Sequence, residues 1–530
     1  MKVIKKVYKD KLDKFINKAI FVLAFLFSAL WLFNAVRSDN FAIDKVFSKN
    51  GGYIFIIALI IMTVAYLKRS ELKKWGIISI EFLTNHLFAL FGIMVFFQII
   101  ILLFASGLAG YDIWGLYHHA VGDLNIEKSP YLQMYPNNFL LFLLMKVVHS
   151  LTALQVLNII AIDFSIIISF FTARTLFGKR AARYSTLIFM ATLGFTPWLL
   201  NTYSDTFVLP CVALGMFFLS KWDQKNTEPL HRFAYLLAAG FSSAVAYYLK
   251  PSAIIFVIAY FLLSALKCTK IKTLLIPLAV FFIGALLFAA PLKVYVNHQT
   301  IVHFDKDKEF PSTHFMMLGL SKNGMYNKAD VNLTRSAKTA KEKKQVNIEV
   351  IKQRLKKLGV VGYVQFLYGK YYKNTHDGTY AWGADGGGRT GFMVKSNLND
   401  SEKLSPFIHS KFGEFLRSFI YTDDNGPGYQ NGENTFVYRF FSQIIYIIMV
   451  LGILLSTLKE KYDFKIMWLL LAMIGLMMFL LLFEGGRSRY LIQAIPVFTL
   501  LSGYGYSTVP YLKEKMLNLP GKREKEHVKS

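Results

Sequence analysis

A small set of ionisable side chains lies at the edges of long apolar runs, where charge is costly and is seldom kept without a use. Asp112 sits in Gly110-Tyr-Asp-Ile-Trp-Gly-Leu-Tyr-His-His-Ala120, just past such a run, and Asp123 and Glu127 follow in the same loop. Asp205 lies in Asn201-Thr-Tyr-Ser-Asp-Thr206 and Lys250 in Leu249-Lys-Pro-Ser252. Glu484, Arg487 and Arg489 share Glu484-Gly-Gly-Arg-Ser-Arg-Tyr490. A carboxylate can take the proton of an acceptor hydroxyl, and cations can hold the charge that develops on a leaving phosphate. Two arginines one residue apart offer planar forks that match a phosphate, and a lysine offers a point charge. The set therefore suits transfer from a lipid-linked phosphate. Plainer roles compete with it. Asp112 and Asp205 could cap helices, Asp123 and Glu127 could line a solvated loop, and Lys250 could anchor at the headgroups.

The elements that would carry these residues are membrane helices. Of 530 residues, 54% are apolar, 16% aromatic and only 18% charged, with a mean hydropathy of +0.39. A soluble domain carries about 25% charge. Apolar runs fall at about 19–36, 53–67, 84–106, 137–149, 153–173, 184–200, 206–220, 233–249, 252–266, 273–292, 436–457, 466–483 and 490–509. Most are long enough to cross a bilayer. The stretch 137–149 is short, follows Pro136 and contains Lys146, so parity turns on it. With it laid on the outer face, twelve spans remain and both termini are cytoplasmic. The inside segments then hold 30 Lys and Arg and the short outside segments eight, as the positive-inside rule requires. All the ionisable residues named above fall on the outer side. The net charge of +27 is thus mainly a topology signal, not a sign of nucleic acid.

The expected organisation is a membrane domain over 1–296, holding a first outer loop at 107–151, and an extracytoplasmic loop domain of mixed structure over 297–435. Spans follow over 436–510, then a basic cytoplasmic tail over 511–530. The loop has 20 Lys and Arg against 14 Asp and Glu and keeps apolar clusters such as Val360–Tyr372, the composition of a folded domain. Its segment His376-Asp-Gly-Thr-Tyr-Ala-Trp-Gly-Ala-Asp-Gly-Gly-Gly-Arg389 offers Asp377 and Trp382 as sugar contacts, against an ordered turn with packing aromatics. The basic stretch Lys343–Leu358 reads as an amphipathic helix on the domain or membrane surface. Tyr117, His118 and Tyr135 are further candidate acceptor or sugar contacts. His118 and His119, adjacent, would diverge by about 100° on a helix and make a poor metal pair. Asp163, within 153–173, is expected to pair with a neighbouring polar group. Cys211 and Cys268 belong to no CxxC or Cys/His cluster, so neither a disulfide framework nor a zinc site is indicated. No cofactor is called for, although a divalent cation is compatible.

The order of features resembles the GT-C superfamily, the polyprenyl-phosphate-sugar-dependent glycosyltransferases that include protein mannosyltransferase-like and aminoarabinose transferase-like branches. The resemblance rests on a span followed by an outer loop with an early acid, then Tyr135-Pro-Asn-Asn138 opening an apolar juxtamembrane helix. Leu176-Phe-Gly-Lys-Arg-Ala-Ala182 is similar to the family's cytoplasmic turn, and Arg489-Tyr490 with Pro496 to its late Arg-Tyr-x(n)-Pro segment. It covers most of 84–296 and the last two spans. Two departures stand out: Asp112 has no adjacent acid, and two extra spans precede it. The resemblance implies an all-α polytopic fold of about twelve helices, Asp112 as base, and a second acid among Asp123, Glu127 and Asp205. It also implies Arg487, Arg489 and Lys250 on the lipid phosphate and a polyprenyl-phosphate sugar as donor. The acceptor would be a cell-wall glycopolymer, lipid or protein, usually attacked with inversion. A polysaccharide polymerase or ligase, and a flippase or transporter of lipid-linked glycans, remain alternatives. A transporter predicts mid-span charges and paired broken helices, and Asp163 is the main mid-span charge.

Overall fold

The computed structural model describes residues 2–41, 60, 63–105 apart from 65, 108–124 apart from 110 and 111, 130–224, 228–268 and 271–382 apart from 322 and 323. It also describes 393–394, 405–419 apart from 409, 434–458 and 463–517. Glu127, most of the apolar run 53–67, the Gly386–Gly388 run and the end of the basic tail lie outside the described residues.

Among the described residues most apolar runs become helices with ends close to those expected, and a further helix, α2, forms over the basic stretch after 68. In chain order they are α1 (Lys2–Val36), α2 (Arg69–Asn85), α3 (Leu87–Phe104), α4 (Asp112–Val121), α5 (Phe139–Val148) and α6 (Leu151–Phe177). Then come α7 (Lys179–Phe189), α8 (Leu209–Trp222), α9 (Pro229–Leu249), α10 (Ile255–Lys267) and α11 (Lys272–His298). The loop 297–435, expected on the outer face, gives α12 (Ser312–Gly319), α13 (Lys328–Ser336) and α14 (Ala340–Thr375). The last three are α15 (Thr435–Thr457), α16 (Phe464–Phe483) and α17 (Ile495–Leu517). Among the described residues, seven helices are long and apolar enough to cross a membrane: Asp13–Phe41, Leu87–Phe104, Leu151–Phe177, Ser204–Trp222, Lys272–His298, Thr435–Thr457 and Phe464–Phe483. The protein is a multi-pass membrane protein. α5 has only ten residues, about 15 Å of helix, half of what a span needs.

Local sequence explains where helices stop. α6 ends at Gly178, whose φ of +88° suits a residue without a side chain. The run expected over 184–200 is not one helix: α7 stops at Phe189 and is followed by a π turn over Met190–Gly194 and a 3-10 turn over Pro197–Leu200. Pro197 has no N–H to give to a continuing helix. In lipid, helices are held by close packing and by polar pairs. A Cβ at Gly240 of α9 would collide with the Phe281 carbonyl of α11, and one at Gly284 with the Leu237 carbonyl. Inside the bundle, Gln98 of α3 donates to Asp163 of α6 at 2.9 Å. Trp31 of α1 donates to the Tyr446 hydroxyl of α15 at 2.7 Å and meets Phe498 of α17 edge-on at 4.9 Å.

The outer loop corrects one expectation. It is helical rather than mixed among its described residues, apart from β2 (Met393–Val394). This pairs antiparallel with β1 (Leu108–Ala109) of the first outer loop. Thr339 and Glu342 form a capping box that starts α14, a helix-start signal present in Thr-Ala-Lys-Glu. α14 then packs on α12, α13, α1 and α16, so the loop is built onto the bundle.

Candidate functional site

Five segments far apart in sequence end at one place. Asp112 opens α4, where a helix N-terminus favours a carboxylate. Asp205 lies in the single turn Ser204–Phe207 leading into α8 and is fully buried. Lys250 terminates α9 in an extended conformation (φ −157°, ψ 102°), as the residue before a proline must. Arg487 precedes, and Arg489 is the second residue of, the 3-10 segment Ser488–Ala494 that leads into α17. Tyr131, Tyr135, Asn137 and Asn138 come from the turns ahead of α5.

All of these except Asp205 line a cavity of about 540 Å³. Asp112, Tyr131, Tyr135, Tyr203, Lys250, Glu484, Arg487, Arg489 and Tyr490 face it from the bundle, and Glu309, Phe310, Phe315 and Tyr326 from the outer loop. The volume suits a sugar phosphate or a small glycan. Lys250 Nζ donates to Asp205 Oδ1, and Arg489 Nε lies 3.4 Å from Asp205 Oδ2. The Arg489 guanidinium stacks 4.4 Å from the Tyr203 ring centre and 5.3 Å from that of Tyr490. Asp205 thus sits beneath two cations and fixes both. Lys250 also lies 5.0 Å over the Tyr490 ring.

Asp112 stands apart from that cluster. Its carboxylate is open to the cavity but surrounded by protein. That burial raises its pKa above the usual carboxylate value, against the opposing charges of Arg489 and Arg487 and a hydrogen bond from Tyr203. Burial likewise raises Glu484, opposed by Lys250, Arg489 and Lys370. Tyr131 and Tyr135 are pushed up, mainly by burial and then by Asp112, so both keep their protons at neutral pH. Asn138 Nδ2 donates to the Tyr131 hydroxyl at 2.8 Å.

Behind the arginines the chain is clasped in place. Gly486 N donates to Gly324 O at 2.5 Å. Lys370 Nζ donates to Gly319 O and Leu481 O, both at 2.9 Å, closing the C-terminal ends of α12 and α16. Ser488 Oγ donates to Asp377 Oδ2 at 3.2 Å.

Of the residues expected from sequence, Asp112, Lys250, Arg487, Arg489 and Tyr135 meet at the cavity, and Asp205 lies directly beneath it. Others lie elsewhere. Asp123 is exposed on the far end of α4 and accepts from His118 at 2.8 Å. His118 packs on Trp114, and Tyr117 is buried in the core. Asp377 and Trp382, expected against a sugar, are placed behind the arginine segment and off the cavity wall. The Asp377 carboxylate accepts from Thr379 N and Oγ1, Ala381 N and Asn40 Nδ2, and Trp382 is fully buried. Those bonds hold a turn in which Tyr380 and Ala381 take φ of 56° and 60°. Sequence reasoning missed Tyr131, Tyr203, Glu309, Phe310 and Tyr326. Tyr203 had a signal, two residues before Asp205, but nothing in sequence ties the outer-loop aromatics to this place. Among the described residues, no three His, Cys, Asp or Glu side chains converge as a metal site.

Comparison with known proteins agrees with the membrane architecture. The family model described as conserved hypothetical integral membrane protein matches residues 12–509. This chain belongs to that family. No curated protein matches the sequence. Among solved structures, the chain is similar to the archaeal oligosaccharyltransferase AglB from Archaeoglobus fulgidus in complex with an inhibitory peptide and a dolichol-phosphate. The identity is 15% and the TM-score 0.41, over 81% of this chain and 51% of that one. It is also similar to ArnT from Cupriavidus metallidurans bound to undecaprenyl phosphate, at 12% identity and a TM-score of 0.32, over 82% and 81%. The chain spans about half the length of the oligosaccharyltransferase. At these scores the assignment of a reaction stands on the cavity's own residues.

Proposed function

We propose that this chain is a GT-C-type integral membrane glycosyltransferase, of hexosyltransferase kind, moving a sugar from a polyprenyl-phosphate donor to an extracytoplasmic acceptor hydroxyl. The observation that carries the reading is one cavity lined by the Asp112 carboxylate, two arginines and a lysine. Asp112 takes the proton of the acceptor hydroxyl, whose oxygen attacks the anomeric carbon. The bond from that carbon to the phosphate oxygen breaks, and the polyprenyl phosphate leaves with the electron pair. Arg487, Arg489 and Lys250 hold its charge, with the Tyr131 and Tyr135 hydroxyls as neutral donors. Asp205 acts as the buried counter-charge that positions Lys250 and Arg489, and of these two acids Asp112 is the base because it is the one that lines the cavity. The acceptor class is a cell-wall glycopolymer, lipid or protein.

The proposal includes the topology. Besides the seven long spans, the helical stretches at 184–200, 233–249, 252–266 and 490–509 and the run 53–67 would cross the bilayer, making twelve. Both termini would be cytoplasmic and the cavity extracytoplasmic. Charge asymmetry and the shortness of α5 support it.

The test is transfer by reconstituted protein from radiolabelled polyprenyl-phosphate hexoses to cell-wall acceptors, with wild type and Asp112→Asn. Transfer by wild type and its loss in the variant are expected. Full transfer by Asp112→Asn removes Asp112 as the base. No transfer from any monosaccharide lipid moves the assignment to a polymerase or transporter. Single cysteines at Asp112 and Phe177 should react with an impermeant reagent from opposite sides; reaction from one side refutes the twelve-span topology.

A further inference from the structure

The helix α14 changes character half-way. Over 340–357 it holds seven Lys and Arg against two Glu, whereas Leu358–Gly369 is twelve residues without a charge. The change falls at Gly359, whose φ of +60° and ψ of −174° break the helix between the two parts. The uncharged half does not bury its apolar side chains against the protein. Val360 is 84% exposed, Val361 72% and Val364 61%, and Tyr368 and Leu355 are partly exposed beside them. An apolar strip of this kind is costly in water.

Its surroundings point to an occupant. The C-terminal end of this half is tied to membrane helices: Tyr371 donates to Phe27 O at 2.7 Å, near the middle of the Asp13–Phe41 span. Lys370 reaches Leu481 O near the outer end of the Phe464–Phe483 span. The strip therefore begins at the wall of the bundle, beside helices α1 and α16, which themselves carry exposed apolar side chains such as Leu23, Leu26, Met478 and Leu482. At its other end Lys352, Lys356 and Lys357 are exposed, placed for anionic headgroups.

We propose that Leu358–Gly369 is a membrane-inserted segment of the outer loop, with its valine strip in the acyl chains and the lysines before Gly359 at anionic lipid headgroups. A lysine-rich face next to an uncharged apolar face is the pattern of helices that lie in the interface plane, and juxtamembrane lysines are drawn to anionic lipid. The insertion would pin α14, and through Lys370 and the Gly324–Gly486 clasp the arginine segment, against the bilayer surface.

The test uses the full chain in nanodiscs containing anionic lipid, with Cys211 and Cys268 changed to alanine. A fluorescent probe is attached at Val364→Cys and, as a solvent-facing reference on the charged half, at Gln353→Cys. Several-fold stronger quenching at 364 than at 353 by lipids carrying a nitroxide on the acyl chain is expected, with the reverse order for aqueous iodide. Equal quenching of both sites by iodide overturns the proposal. So does protection of 364 from both quenchers, which, with a cross-linked dimer through that cysteine, would assign the strip to a second copy of the chain. Val361→Cys repeats the reading should Val364→Cys fail to accumulate.

Discussion

The pairing of Asp205 with Lys250 and Arg489 makes a quantitative prediction. The Asp205 side chain has no solvent exposure, that of Lys250 has 12% and that of Arg489 7%. Changing Asp205 to Asn keeps the volume but leaves two mostly buried cations without their nearest carboxylate. Breaking a buried ion pair from one side costs about 3–5 kcal/mol. Lys250→Met removes one cation while Asp205 keeps Arg489, and loses one charge-assisted hydrogen bond, about 2 kcal/mol. In the double variant Asp205→Asn/Lys250→Met only Arg489 has lost its nearest carboxylate, and its guanidinium still rests on Tyr203 and Tyr490. Its destabilisation should be smaller than the sum of the two singles, with a coupling on the order of 1–3 kcal/mol. Equilibrium unfolding of the four proteins in mixed micelles, followed by tryptophan fluorescence, gives the cycle. Additivity within about 0.5 kcal/mol would mean that the three groups do not share one electrostatic unit, and the positioning role given to Asp205 would fall.

Other consequences are equally specific. Asp112→Asn should lower transfer by about 10²–10⁴-fold. The base works deprotonated and its pKa is raised, so the acidic limb of the wild-type rate profile should lie above the ordinary carboxylate value. Arg487→Ala, by removing a charge that lowers the Asp112 pKa, should shift that limb to higher pH; an unmoved limb breaks the link between the two residues. Burial lowers the Lys370 pKa to about 8, from 10.5. The unfolded chain therefore binds more protons between these values, and stability should rise with pH across that window. Lys370→Met should flatten that rise, seen as loss of the pH dependence of the melting temperature. Gly240→Leu should force α9 from α11 and destabilise by about 1–3 kcal/mol, whereas the same change at Gly92, which has nothing within 4 Å, should be nearly silent in the same melt.

Much of the fold was legible because lipid leaves a chain few options. Backbone polar groups in hydrocarbon must pair within their own segment, so the apolar runs 436–457 and 466–483 became helices over Thr435–Thr457 and Phe464–Phe483. Charges at span ends picked out Asp112, Lys250, Arg487 and Arg489 by the same economy. Legibility failed where the outcome depended on non-local packing. The run 184–200 reads as one helix by composition but breaks into the end of an α-helix, a π turn and a 3-10 turn. The Asp377–Trp382 turn has the residues of a sugar site, yet its carboxylate is consumed by its own backbone and by Asn40, a partner 337 positions away.

By itself the sequence determined the class of protein, the approximate helix ends and the residue types available for a phosphate and a proton, because hydropathy and proline or glycine punctuation act over a few residues. Tertiary structure alone decided which acid lines the cavity and which is buried. Asp112 and Asp205 read alike along the chain, each an acid beside an apolar run. Only the convergence of α8, α9 and the segment before α17 buries Asp205 under Lys250 and Arg489 and leaves Asp112 open to the cavity. Electrostatic environment is set by neighbours in space, and the neighbours of Asp205 lie 45 and 284 residues away in the chain.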